Sequence, residues 1–272
     1  MSVEILDGAM GTELAARGLR LDPPAWSARA NLDAPDMVGS VHRDYAIAGA
    51  TLHTANTFRT QPRALGPRWE TSLRAAVQLA RDAVPEDHQV IGSMAPVEDC
   101  YQPERSPGAA ARNEHRLVAR ALASAGCDLL LVETFSAEAE AGVAVDEALH
   151  TGIPVWLSLT AGPFGALLSP DELGEVALRM SDSGVARVLV NCIAATRIDP
   201  YVEAIAHLGV PFGVYANAGR ENEGLGWGAS PEQAAPAYVE LARCWVDAGA
   251  TVVGGCCGTG PAHVRALAEA FG

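Results

Sequence analysis

The sequence predicts an α/β protein folded as a single (β/α)8 TIM barrel over residues 1–272. Three observations carry this prediction. Short apolar runs alternate with longer amphipathic stretches along the whole chain, the order expected of parallel strands joined by crossover helices. The alternation yields eight evenly spaced strand–helix units with no linker long enough to divide domains. A chain of 272 residues, 49% hydrophobic, also has the length and apolar content of one closed barrel. A doubly wound sheet is the alternative, and the even spacing favours closure.

Strands are predicted at 3–6, 51–55, 90–93, 129–132, 155–159, 188–190, 212–215 and 251–254. Several are almost continuously apolar, as expected for strands covered on both faces. Pro35-Asp36 opens a helix that Gly49 ends, and further helices are predicted at 69–83, 110–125, 137–150, 170–183, 197–207 and 231–248. A last helix opens near Pro261. Ser169-Pro170-Asp171-Glu172 and Ser230-Pro231-Glu232 carry start signals: a capping serine, proline at the first position, then acids. Gly126, Gly184 and Gly249 each end a helix just before a strand. Two stretches, 18–34 after the first strand and 95–108 after the third, are longer than a connection needs, and long loops in a compact domain often carry function.

Composition narrows the chemistry. The net charge is −14, which argues against nucleic acid and anionic membrane partners because both need clustered cations. All 19 basic residues are arginine. The absence of lysine excludes Schiff-base and pyridoxal-phosphate chemistry and a Walker-type phosphate loop. The N-terminus lacks the segments of a secretory signal and no apolar run is long enough to span a bilayer, so a cytoplasmic protein is expected. In that compartment six cysteines point to metal, catalysis or core packing before disulfides. Oligomeric state leaves no sequence signal.

In barrel enzymes the chemistry sits where strands end. Those positions carry Asp7, Asn56 and Thr57, Ser93, Glu133, Asn191 and Cys192, Tyr215 and Asn217, and finally Cys256 and Cys257. Three cysteines from two strand ends, with a fourth position left open, form the pattern of a catalytic zinc site. Neighbouring cysteines can both face one metal only where the backbone turns out of the strand, and the glycines of "GGCCGTGP" (254–261) permit such a turn. Buried core thiols are the alternative reading, and it is the one that suits Cys127 and Cys244. Asp7 and Glu133 suit either general acid–base work or the binding of a cation such as an amino group. The loop aromatics Trp26, Phe58, Tyr101 and Trp227 suggest a cation–π wall for a sulfonium or ammonium group.

The stretches "LDGAMGTEL" (6–14), "HRDYAIAGA" (42–50), "TANTF" (54–58), "GSMAP" (92–96), "AGCDLLLVETF" (125–135), "VNC" (190–192), "YANAG" (215–219) and "GGCCGTGP" occur in this order almost end to end. Together they resemble the zinc-dependent homocysteine S-methyltransferases, the group of S-methylmethionine and betaine enzymes and of the homocysteine domain of methionine synthase. The resemblance implies a zinc ion held by Cys192, Cys256 and Cys257. It places Asp7 and Glu133 at the amino group of homocysteine and backbone amides from Gly8 to Met10 at its carboxylate. Asn217 falls close to the metal and the substrate sulfur. The implied reaction is methyl transfer from an activated donor, a sulfonium such as S-methylmethionine or S-adenosylmethionine, to the homocysteine thiol. Selenocysteine as acceptor, or methyl supply by a partner corrinoid protein, are the alternatives. The chain departs from the common pattern in its 95–108 loop and at Ala216, Gly258 and Gly260; none of these is one of the three cysteines, so the departures bear on the donor.

Overall fold

The computed structural model describes residues 3–219, 222–227 and 229–272. The apolar runs become eight strands: β1 (Glu4–Ile5), β2 (Leu52–Thr54), β3 (Gln89–Met94), β4 (Leu129–Phe135), β5 (Val155–Leu159), β6 (Arg187–Ala194), β7 (Phe212–Asn217) and β8 (Val252–Gly255). All neighbouring pairs are parallel, in the order β1-β8-β7-β6-β5-β4-β3-β2. The remaining seam is closed by a bridge between Leu6 and Leu52, flanked by Thr51 N donating to Ile5 O and Asp7 N to Leu52 O, each at 3.0 Å. The sheet is therefore a barrel. Alternate residues such as Leu6, Leu52, Ile91, Leu131, Leu189 and Val252 fill its interior.

The helices are α1 (Met10–Ala16), α2 (Ala30–Asp33), α3 (Pro35–Ile47), α4 (Pro62–Leu65), α5 (Trp69–Ala83), α6 (Arg112–Ala125), α7 (Glu138–Leu149), α8 (Pro170–Ser181), α9 (Asp199–Ala206), α10 (Pro231–Asp247) and α11 (Pro261–Phe271). The long ones sheathe the barrel through a second apolar layer that includes Tyr45, Leu73, Phe135 and Trp245. The start signals act as predicted. Ser169 Oγ accepts from Glu172 N in a capping box, and Ser230 Oγ accepts from Gln233 N. No helix among the described residues is long and apolar enough to cross a membrane.

Strands β4, β6 and β7 run further than the apolar pattern indicates. Glu133, Asn191 and Asn217 look like strand terminators, yet all three lie inside strands and are buried. The reason is a pair of irregularities. Register shifts interrupt β4 between Val132 and Phe135 and β6 between Asn191 and Ala194. At their centres Thr134 (φ 64°) and Cys192 (φ 54°) adopt the left-handed conformation. Such bulges re-aim side chains at barrel rims. Helix α1 is also absent from the sequence prediction, because it is short and lacks a side-chain cap.

Tyr238, fully buried on α10, sits beneath the ends of β7 and β8. Its hydroxyl lies 3.0 Å from Ala216 O and 2.9 Å from Gly254 O. Tyr238→Phe should lower unfolding free energy by about 1–2 kcal/mol, because two buried carbonyls lose that donor. Urea titration reads this as a lower midpoint at constant slope, and an unchanged midpoint would mean the bond adds no net stability.

Candidate active site and metal centre

At the C-terminal mouth of the barrel the three predicted cysteines meet. The sulfurs of Cys192, Cys256 and Cys257 all lie within 4.8 Å of one another. Those of Cys192 and Cys256 touch in the arrangement of a disulfide, with Cα atoms 5.8 Å apart. The pairing thus runs between strands and not between the sequence neighbours. In the thiolate form these three donors suit one soft metal ion: bonds of about 2.3 Å to sulfur in a tetrahedron give sulfur–sulfur edges of roughly 3.8 Å. The donor set fits zinc.

Local geometry explains how each thiol arrives there. By strand alternation Cys192 would face the helices, since Asn191 already faces the barrel. The left-handed turn at Cys192 swings its sulfur to the mouth. Asn191 holds the turn: its Nδ2 donates to Thr134 Oγ1 (2.8 Å) and Cys192 Sγ (3.3 Å), while its Oδ1 accepts from Ser158 Oγ (2.8 Å). Beyond β8 a tight turn runs from Cys256 to Thr259, closed by Thr259 N donating to Cys256 O at 3.0 Å. Gly258, at φ 83°, occupies the position that requires a positive φ. A side chain there would also strike the indole of Trp227. Cys256 N donates to Ala216 O and Ala218 N to Cys257 O, each at 2.8 Å, which locks the turn to β7. Burial raises the pKa of the Cys257 thiol, against a backbone hydrogen bond and with Glu133 adding to the shift, and a nearby cation would favour the thiolate.

The two predicted acids face the same cavity, which measures about 650 Å³. Asp7 follows β1 and accepts from Thr54 N at 2.9 Å. Glu133 accepts from Ser93 Oγ and, at 2.9 Å, from Tyr215 OH. Gly8 lines the cavity beside Asp7 and packs against the ring of Tyr45, whose hydroxyl donates to Ala9 O at 3.2 Å. Asn217 stands beside the thiol cluster, next to Cys192. It does not line the cavity, and its Nδ2 donates to Cys192 O at 3.0 Å while its buried Oδ1 has no partner among the described residues. Its observed contact supports the Cys192 bulge.

Of the loop aromatics, Trp26, Phe58 and Tyr101 line the cavity, and Trp227 instead covers Gly258. Cys100 lines it too, its pKa pushed up to about 12, chiefly by burial. Cys127 is a core thiol, as expected. The reading of Cys244 as a core thiol fails: it is exposed, on the outer side of α10. Sequence patterns also missed His42 on α3 and His53 on β2. Both are buried behind Asp7, with ligating atoms within 4.8 Å of its carboxylate. Burial lowers their pKa values to about 3 and about 4, with His42 feeling His53 and His53 feeling His88 as further causes. They are therefore neutral near pH 7. Histidines facing the core from a helix and a strand have no distinctive spacing, so no signal exposes them.

Burial raises the Asp7 carboxyl well above its usual range, opposed by Thr54 and reinforced by Glu133. Burial likewise raises Glu133, against the bonds from Ser93 and Tyr215. With folded pKa values above unfolded ones, the free protein holds more protons than the unfolded chain in that interval. Stability therefore falls as pH rises from about 4 through the folded values. Asp7→Asn should flatten this dependence, measured as melting temperature between pH 4.5 and 8. Parallel curves for variant and wild type would show that Asp7 ionises freely.

The chain has known relatives. The family profile described as Homocysteine S-methyltransferase matches residues 4–271. The Homocysteine S-methyltransferase of Escherichia coli (strain K12) is 31% identical over 97% of this chain and 93% of its own. The Selenocysteine Se-methyltransferase of Brassica oleracea var. italica is 27% identical over 97% and 87% respectively. Crystal structures of the homocysteine methyltransferase MmuM from Escherichia coli match with TM-scores of 0.84 (oxidized form) and 0.83 (metallated form). Each is 26% identical and covers 99% of this chain and 96% of its own. With a family profile spanning almost every residue and a relative this similar from end to end, the chain belongs to the homocysteine S-methyltransferase family.

Proposed function

We propose that this barrel, acting as one unit over residues 1–272, transfers a methyl group from a sulfonium donor to the thiol of homocysteine, giving methionine. The donor class is S-methylmethionine or S-adenosylmethionine. The observation that carries the reading is the convergence of three thiols and two buried carboxylates on one cavity. Cys192, Cys256 and Cys257 would hold a zinc ion, whose positive charge keeps a coordinated substrate thiol deprotonated and nucleophilic at neutral pH.

The chain's own residues do the rest. Asp7 and Glu133 take the substrate ammonium between them, which offsets the cost of burying two carboxylates. Ser93 and Tyr215 hold Glu133 in place for this, and Thr54 N holds Asp7. Backbone around Gly8 receives the substrate carboxylate. Asn191 and Asn217 keep Cys192 turned into the mouth. With the amino-acid end fixed, the sulfur can reach only a short arc, and the donor methyl must enter along it. The transfer breaks one carbon–sulfur bond and forms another, so no general base is needed at that step. The reading places the protein in the cytoplasm, where thiols stay reduced. The similarity to a selenocysteine methyltransferase supports a second acceptor, the selenol of selenocysteine, at the same site.

Cys256→Ser should lose bound zinc and reduce methionine formation by at least about 100-fold, measured by elemental analysis and product assay on one preparation. A variant that keeps both would overturn the ligand assignment. Asp7→Asn should raise the homocysteine KM by about 10- to 100-fold with metal content unchanged, the size expected for losing a charged hydrogen bond. An unchanged KM would mean that the ammonium is held elsewhere.

A further inference from the structure

The cavity is larger than one amino acid requires, and its outer half is built from the 18–34 and 95–108 loops and the segment after β2. Three guanidinium groups line that half: Arg59, Arg63 and Arg105. Two of them are already neutralised. Arg63 pairs with Glu98 and Glu114, and Arg105 pairs with Glu98. Arg59 has no carboxylate within ion-pair distance among the described residues.

Arg59 is nonetheless held in place. Its Nη1 donates to Glu98 O at 2.9 Å and Pro96 O at 3.3 Å, and its guanidinium lies 5.1 Å from the centre of the Phe58 ring. The other edge of the fork, Nε and Nη2, has no protein partner among the described residues. A fixed, half-buried guanidinium with a free edge on a cavity is a carboxylate receptor in waiting, because that fork matches two carboxylate oxygens.

Beside it stands an aromatic wall. Trp26 meets Phe58 edge-to-face at 6.4 Å and adopts a left-handed backbone (φ 46°), a conformation costly for a tryptophan. A buried network holds it there. Ser27 Oγ donates to Asn56 Oδ1, Asn56 Nδ2 to Asn31 Oδ1, and Asn31 Nδ2 to Ser72 Oγ, at 2.7, 2.8 and 3.0 Å. With Arg59 over one face of Phe58, the rings left for a second cation are those of Trp26 and Tyr101.

We propose that Arg59 anchors the carboxylate of the methyl donor while Trp26 and Tyr101 face its methylated cationic centre. This rests on the methyl-transfer reading above and adds the donor's recognition. In the transfer the substrate thiolate forms the new sulfur–methyl bond and the donor's bond to that methyl breaks. The bonding electrons return to the onium atom, and a neutral thioether or tertiary amine leaves with its carboxylate still on Arg59. No oxidant or further proton enters.

The test compares wild type with Arg59→Gln, metal-loaded and supplied with homocysteine, on three donors: S-methylmethionine, glycine betaine and trimethylsulfonium, which has no carboxylate. Arg59→Gln should raise the KM of the better carboxylate donor by about 10- to 100-fold. The homocysteine KM, melting temperature and trimethylsulfonium rate should stay unchanged. The first two donors show which onium the site takes. An equal loss on trimethylsulfonium, or no loss on either carboxylate donor, would overturn the anchor. If wild type uses trimethylsulfonium as well as the carboxylate donors, the anchor also fails while the methyl-transfer reading stands. If none of the three methylates homocysteine the anchor falls, and the methyl-transfer reading falls with it when S-adenosylmethionine is inactive too.

Discussion

Two residues of this barrel, Thr134 and Cys192, sit in a backbone conformation that L-residues avoid, and one asparagine ties them together. Each left-handed residue costs roughly 1–3 kcal/mol and persists only where its surroundings over-determine it. Asn191 supplies that determination, reaching Thr134 Oγ1 and Cys192 Sγ with one amide and drawing Ser158 into the same network. Regular strands would send the Cys192 sulfur toward the helices. The bulge in β6 brings it to the mouth, and the bulge in β4 follows directly after Glu133. The place of the Cys192 sulfur in the thiol cluster and the turn that follows Glu133 both rest on this one tie.

The site is unbalanced in charge by itself. Two carboxylates and a cluster of thiols share a cavity whose nearby cations are mostly committed to loop acids, and burial raises the pKa values of Asp7, Glu133 and Cys257 alike. Burial biases this set toward its protonated forms, and nearby cations work against that bias. A metal ion among the sulfurs and an ammonium between the acids are complementary to it, and a substrate carrying both an amino group and a thiol brings the two halves into one molecule. The outer cavity repeats the logic with the sign reversed, where Arg59 remains open to an anion.

Much of this was legible in the sequence. Parallel strands buried on both faces must be apolar, so their number and order can be read directly, and the capping serines mark the helices that follow. The cysteines, Asp7 and Glu133 were legible because a barrel's reactive groups gather at strand ends. Other features were not. A left-handed threonine or cysteine has no compositional mark, whereas Gly258 in its turn does. The bond from Asn217 to the Cys192 carbonyl joins two strands and leaves no local sequence mark. Arg59 and Arg63 look alike in "TFRTQPRALG"; they differ because Glu98 and Glu114, distant in sequence, pair with only one of them.

The central claim is that three cysteine sulfurs hold one metal ion with a position left for the substrate's own sulfur. X-ray absorption at the zinc edge of the metal-loaded protein, recorded with and without homocysteine, tests it most directly. The account predicts three sulfur neighbours at about 2.3 Å in the free protein and four when homocysteine is present. A shell of nitrogen and oxygen alone, or a sulfur count unmoved by homocysteine, would contradict it.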